Sequence, residues 1–512
     1  MTSLLAPAPA AAQVLPLGVP KGAVRLELFG GFRDYNERYR NGTRESVGAD
    51  FTTPAAGSGL LPFVAASDAR LTRVIGVPAA LTLGATTGKA EINLGTVGIG
   101  AAVGVTKQIT LFANLPFVRG RVQSVVKLDS TTGNAGFNPA DRVHGNDQGR
   151  AQAAAFFNQF DQAIAALDQR IQSGAFDANP QLKAQARAAL ADARAVRTDL
   201  FAFIADPASQ SPFVPTVASP LGTALTQRIA AIQTLFATSF GVGGFTAGVP
   251  LATRRLAPSE FDGFVTNPAG PVAGRINADT VVFAPGNVEL GVVVTPIDRW
   301  NVGDSRGGFR LALRGLARLP TGQRARDGWF FDPGTTTGST QVEAGIVADV
   351  GRGLLGLRAS GHYVRSMAGT RSRRVAPPTE AMPLAISVAD VRTTPGSALE
   401  VEVRPFLHVA RGFSLQLYGN YWTQAQDRVE YAGAPIPGID ASVLARATKV
   451  SATSVGVGVT YSNLGRLIPG GTGLPVDGSW TFQRMVASSG GITPAAQVMR
   501  IQFRVYQRMW GK

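Results

Sequence analysis

Cysteine is absent from the 512 residues. That excludes a disulfide framework, a thiol nucleophile and any Cys-based metal site. Charge is scarce: Asp, Glu, Lys and Arg make up 16% of the chain, against roughly a quarter in soluble domains. Lysine is nearly missing, so the formal net charge of +15 is carried by arginine. These arginines are spread singly rather than gathered in a patch, and no nucleic-acid motif accompanies them, so no nucleic-acid partner is expected. No run of 18 apolar residues occurs, which excludes an ordinary transmembrane helix. Histidine is limited to His144, His362 and His408, and no HExxH, phosphate-loop or GxSxG stretch is present. Neither an enzyme nor a bound metal or cofactor is therefore expected.

What the chain has is glycine, at 60 residues, and long strict alternation. In 307–320, Phe309, Leu311, Leu313, Ala317 and Leu319 share one parity, while Arg310, Arg314 and Arg318 hold the other. In 340–351, Val342, Ala344, Ile346, Ala348 and Val350 oppose Gln341, Glu343, Gly345 and Asp349. In 397–410, Leu399, Val401, Val403, Leu407 and Val409 oppose Glu400, Glu402, Arg404 and His408. A period of two over a dozen residues describes a strand with two unlike faces. Twelve such segments are read, at 22–39, 89–106, 108–127, 280–297, 307–320, 340–351, 353–366, 397–410, 412–431, 449–463, 476–489 and 495–510. In 89–106 the apolar parity shifts near Thr96, which predicts a bulge.

The connections alternate as well. Short turns such as Thr106–Gln108 and Gly351–Gly353 take one side, and long stretches such as 40–88 and 128–279 take the other. An even strand count with this loop asymmetry predicts an all-β transmembrane fold: a roughly twelve-stranded antiparallel barrel in the bacterial outer membrane, both termini periplasmic. Lipid offers no hydrogen bonds, so a sheet spans it only when closed, apolar outside and free to be polar within. The residues of inward parity are Arg25, Glu27, Arg310, Arg314, Arg318, Glu343, Asp349, Arg358, Glu400, Glu402, Arg404, Arg500 and Arg504. They are the expected lining of the lumen, either salt-bridged or setting the selectivity of a pore. His362 and His408 share that parity at different heights and are not expected to share a metal. Aromatic girdles are expected from Phe29, Phe32, Tyr35, Phe117, Trp300, Tyr363, Tyr421, Trp422, Tyr461, Trp480, Tyr506 and Trp510.

Residues 128–279 break the pattern. Phe156, Phe157, Phe160, Ile164, Leu167 and Ile171 fall at helical spacing within 151–174. Asn179-Pro180 opens a second helix to about Ile204, and Leu221–Phe240 reads as a third, with Leu225, Ile229, Ile232, Leu235 and Phe236 on one stripe. The strand count puts this insertion outside the cell, as a lid over the barrel mouth or a helical bundle for surface contacts. The lid reading rests on Phe156, Phe160, Ile164, Leu167, Ile229, Ile232 and Leu235. At the start, the Ala-rich stretch resembles the tail of a secretory signal whose gene start is truncated. The expected organisation is 1–13 residual signal, 14–127 three strands with the first external loop, 128–279 helical insertion, and 280–512 strands four to twelve.

GNVELGVVV (286–294), RGLARLPTG (314–322), GTTTGSTQVEAGIVADVG (334–351) and GLLGLRASGHY (353–363), with LFANLPFVRGRV (111–122), carry a family resemblance. The chain resembles the meta-pathway phenol-degradation outer-membrane family, which is related to long-chain fatty-acid transporter barrels. The resemblance implies a barrel that admits hydrophobic or aromatic molecules. Asn287 stands where the motif has an acidic residue. Few residues precede the first strand, so a plug is expected from loops.

The expected function is passive uptake of a small solute, hydrophobic or aromatic in class, gated or capped by the helical loop. The partners are outer-membrane lipid and that solute. The alternative is a closed structural barrel whose external helices bind a surface partner.

Overall fold

The structure is a computed structural model that describes residues 18–300, 307–326, 328–332, 334–336, 338–410, 412–464 and 473–510. The residual signal expected at 1–13 lies outside the described residues. Twelve strands form the wall: β1 (Ala23–Tyr35), β2 (Ala85–Gly104), β3 (Ile109–Asp129), β4 (two segments, Ala278–Pro285 and Val288–Asp298), β5 (Gly307–Leu319), β6 (Gln341–Arg352), β7 (Leu355–Ser366), β8 (Ala398–Ala410), β9 (Phe413–Gln424), β10 (Val450–Ser462), β11 (Val476–Ser489) and β12 (Gln497–Arg508). Each pairs antiparallel with the next, and β1 pairs with β12, so the sheet closes. Closure leaves no free edge, the condition lipid imposes.

The outer face carries the apolar parity. Leu111, Ile99, Leu290, Leu313, Ile346, Val401, Val457 and Ile501 are all exposed. Two tight turns at the same end of the barrel use Gly353 and Gly412, with φ of +64° and +81°. Only glycine adopts that region freely.

The bulge expected near Thr96 is not there. β2 and β3 run in one unbroken register from Ala85↔Asp129 to Gly104↔Thr110. What changes is the medium on each face. Below residue 95 the outward side chains of β2 are Val97, Ile99 and Ala101, and above it they are Thr87, Lys89 and Glu91. On the inner face the order reverses: Ala90, Ile92 and Leu94 are buried above, and small residues lie below. β3 repeats this, with Ile109, Leu111 and Ala113 outward below, then Arg119, Arg121 and Lys127 outward above. At 21 residues, β3 spans about 70 Å if extended, far more than an apolar band of roughly 25 Å needs. The upper half leaves the membrane, turning its outer face to water and its inner face to an apolar cap. The parity shift is the membrane boundary.

A true bulge lies in β4. Phe117 faces Pro285, yet Asn114, three residues earlier, faces Glu289, four residues later. One extra residue is inserted at Gly286–Asn287, so the inward parity of β4 changes across it.

The cap consists of α1 (Val64–Ile75), α2 (Asp147–Gln172), α3 (Pro180–Ile204), α4 (Pro220–Phe240) and α5 (Pro258–Thr266). Asn146, Asn179 and Ser219 cap α2, α3 and α4 by accepting from backbone N–H groups at 2.7–3.0 Å. Pro180 and Pro220 open the last two of these helices, where a missing N–H costs nothing. Phe156, Phe160, Leu167, Ile229, Ile232 and Phe236 share one core with Ile92, Val122, Val126 and Leu128 of the wall. The insertion therefore packs into the raised wall, and α1 from the first loop joins it. Ile164 is half-buried against this core. Leu235 departs from expectation: it is 41% exposed, because the packed stripe of α4 runs Leu225, Ile229, Ile232, Phe236 and Phe240.

Several expected girdle residues also face inward. Tyr35 is buried under the cap, Tyr506 is buried in the lumen, and the Phe29 ring lies over Gly98 of β2. Trp422 shares the inward parity of Asn420, opposite Glu400 on β8, and Trp300 packs against Phe406 and Arg310 of the lumen. Phe32, Tyr363, Tyr421, Trp480 and Trp510 are exposed. At the periplasmic mouth, Val19 is buried with Ala102 and Tyr506. Its N–H donates to Thr110 Oγ1 at 2.8 Å. The segment preceding β1 thus packs into the periplasmic mouth, a contribution that the expectation of a plug from loops alone did not include.

The membrane boundary is testable on β2. Ile99→Arg is expected to cost about 2–4 kcal/mol in refolding into vesicles, the penalty for a cation on the lipid face. Glu91→Arg, outward on the same strand above the boundary, is expected to cost less than about 0.5 kcal/mol. Equal costs would contradict the assignment.

Candidate functional site in the barrel lumen

Alternation delivers the charges to the lumen. Every second residue of a wall strand points inward, so Arg310, Arg314 and Arg318 rise up one wall at intervals of four residues, about 13 Å. Glu343 and Asp349 stand on the adjoining strand β6 and answer them. Arg318 bonds Glu343 at 2.7 Å and Glu289 at 2.8 Å. Arg314 reaches Glu343 at 3.4 Å, and His362 Nδ1 lies 3.2 Å from the same carboxylate. Lower down, Arg358 donates to Asp349 at 2.7 Å, and Arg310 pairs with Asp298 at 3.1 Å and Asp349 at 3.6 Å.

A second group forms where the barrel closes. Arg504 lies 3.3 Å from Glu27 and 3.7 Å from Asp477, and Arg25 lies 3.4 Å from Glu27. The Tyr506 hydroxyl donates to Asp477 at 2.6 Å, and Arg504 donates to Gln502 at 2.8 Å. On β8 and β9, Arg404 pairs with Glu402 and stacks 4.7 Å from the Tyr418 ring centroid. Glu400 accepts from Asn420, and Tyr418 donates to Gln416 at 2.6 Å.

All thirteen side chains assigned to the lumen by parity face it. Eleven are buried, while Arg314 and Arg500 are half-buried. Arg358, Arg404 and Arg504 are 1%, 1% and 0% exposed. The middle of the lumen is thus packed with paired acidic and basic side chains. His408 bonds Ser414 near the periplasmic turn, well apart from His362. Among the described residues no group of three or more potential ligands could hold a metal ion.

Sequence reasoning missed Glu289 and Asp477. Glu289 was hidden by the β4 bulge: parity counted from Val281 and Phe283, which face out, would place residue 289 outward too. Asp477 is the second residue of β11, where too little alternation precedes it to define a face.

No protein-family model and no curated protein matches the chain. Among solved structures it is similar to an outer membrane channel of Pseudomonas putida F1, at 10% identity over 97% of this chain and 100% of that one, with a TM-score of 0.43. It is also similar to the toluene transporter TbuX of Ralstonia pickettii, at 8% identity over 96% and 90% of the two chains and a TM-score of 0.29. A FadL homologue of Pseudomonas aeruginosa matches at 9% identity over 95% and 90%, with a TM-score of 0.23. At these identities none of the likenesses assigns a solute to this chain.

Removing one partner from the closure group leaves the others buried and unpaired, at a cost of several kcal/mol. Arg504→Met is expected to lower stability in urea unfolding from vesicles by about 3–5 kcal/mol. Combining it with Glu27→Gln and Asp477→Asn is expected to recover most of the loss. An additive loss would mean the three groups do not act together.

With a closed antiparallel wall, an apolar outer band, a charged interior and long loops on one face alone, the chain is a bacterial outer-membrane β-barrel.

Proposed function

We propose that the protein is an outer-membrane channel for passive uptake of small solutes, held shut by the ion pairs of its lumen and capped by its helical insertion. The carrying observation is the chemistry of the filling. Buried ion pairs stabilise a fold no better than well-packed hydrocarbon, and often less. A barrel meant to stay closed gains nothing from about a dozen charges at its centre. A passage that alternates between closed and wet does gain, because the same groups pair when dry and are solvated when water enters. An apolar filling has no comparable wet state.

A second observation bears on the solute. Next to the β4 bulge, Pro116 of β3 and Pro285 of β4 both lack the N–H that a ladder needs. The Gly286 N–H donates to the Pro116 carbonyl at 2.8 Å, while the buried Asn287 Oδ1 has no hydrogen-bond partner. The outward rings Phe117 and Phe283 stack beside this weak seam, 6.1 Å apart. An apolar solute that enters beneath the cap would leave sideways here into the outer leaflet, without crossing the charged belt. That route supports the hydrophobic or aromatic class.

Bilayer recording tests the channel. The refolded protein is expected to show discrete openings that become more frequent after Glu343→Gln weakens the belt, and more frequent again when residues 145–240 are removed. Silence from all three, with each barrel shown to be folded by its heat-shifted gel mobility, would favour the alternative of a closed barrel whose helices bind a surface partner. Pro116→Thr with Pro285→Thr restores two ladder donors. It is expected to slow toluene entry into vesicles several-fold while leaving ion conductance unchanged; unchanged toluene entry would remove the sideways route.

A further inference from the structure

Above the belt the lumen opens into a vestibule continuous with solvent, whose enclosed part has a volume of about 60 Å³. Its floor is made by residues of inward parity at the upper ends of β6 to β9, namely Gln341, Val364, Ser366, Ala398 and Gln424. Its rim is a small external sheet formed by Gly369–Arg374, Val388–Thr394 and Arg428–Tyr431. Such a space holds only a few water-sized groups, room for the polar head of a small ligand whose remainder lies in the open mouth.

The lining is chemically two-sided. Arg324, Arg371 and Arg373 share the lining with one acid, Asp427, so these four side chains carry a net charge of +2 when all are ionised. The Asp427 carboxylate already accepts from the Gly396 N–H at 2.9 Å and from Gln424 at 3.1 Å. Burial pushes its pKa up, against those hydrogen bonds and the charges of Arg373 and Arg371. Arg373 is only 9% exposed, so its charge acts in a medium poorer than bulk water. Thr393, equally buried at the wall of the vestibule, has a hydroxyl with no hydrogen-bond partner. A buried hydroxyl without a partner costs free energy that a ligand oxygen would return. Val364, Pro395 and Ala398 add apolar surface to the same lining.

We propose that this vestibule binds a small organic carboxylate with an apolar body, its oxygens held by Arg371, Arg373 and the Thr393 hydroxyl and its body laid on Val364, Pro395 and Ala398. Arginine presents paired donors that match a carboxylate. The floor is made of inward-facing residues, so a lipid headgroup, which meets the outer side of the wall, does not reach it. The inference deepens the channel reading by naming a class of solute that would enter first at this mouth.

Direct binding separates the two. Titration calorimetry of the refolded full chain in detergent micelles would compare benzoate, its neutral counterpart benzyl alcohol, and sulfate. Benzoate is expected to bind at least tenfold more tightly than either. Arg371→Gln with Arg373→Gln is expected to weaken benzoate at least tenfold, and Thr393→Val, a nearly isosteric change, about threefold. Both variants are to keep the heat-shifted gel mobility of the folded barrel. Equal binding of benzoate and benzyl alcohol, or unchanged affinity in both variants, would overturn the site. Sulfate binding as tightly as benzoate would overturn the apolar half. Benzoate binding by a barrel that never conducts would leave the site standing and sink the channel reading instead.

Discussion

The backbone hydrogen bond sets the terms for the whole molecule. In hydrocarbon each unpaired N–H or C=O costs several kcal/mol, so the sheet must return to its own first strand. The pairing of β1 with β12 does this. Closure then separates two media that never meet, lipid outside and a private interior within. Strand parity sorts the side chains between them. A bulge, which moves parity by one, is therefore a large event in such a wall.

The same constraint explains the extended strands. β2 and β3 pair residue for residue far above the membrane, and the chain exchanges its polar and apolar faces at one level without breaking the ladder. Above that level the raised wall has water behind it and needs a hydrophobic partner in front. The five helices provide it. Cap and wall share one core that includes Phe51, Phe330 and Phe331 from separate loops. Any movement of the cap must therefore unpack apolar surface. The packed arrangement is thus strongly preferred, by hydrocarbon contact.

Below the cap, charge replaces hydrocarbon. Buried ions are tolerated where each finds an opposite partner and further hydrogen bonds. Glu343 gathers Arg314, Arg318 and His362, while Asp477 takes both Arg504 and the Tyr506 hydroxyl. These clusters join adjacent strands around the ring, so they hold the cross-section of the barrel as well as fill it. Their pairing rests on strand register, which sets acid and base at the same height on neighbouring strands.

Much of this was legible in residue order. Strand number, the apolar outer face, the inward arginines and the long helices follow from periods of 2 and 3.6, which are local properties of the chain. The helix ends at Asn179-Pro180 and at Phe240 are local as well. Long-range choices were not legible. The parity shift in β2 signals a bulge or a change of medium, and only the unbroken register with β3 decides between them. Glu289 is inward because Gly286 and Asn287 hold one residue too many for β3 opposite, a count that exists only between two strands. Leu235 and Phe236 are neighbours in sequence, yet packing buries one and exposes the other. Residue order determined which side chains share a face. The tertiary structure decided what each face meets, because water, lipid and protein are brought to a strand by distant parts of the chain.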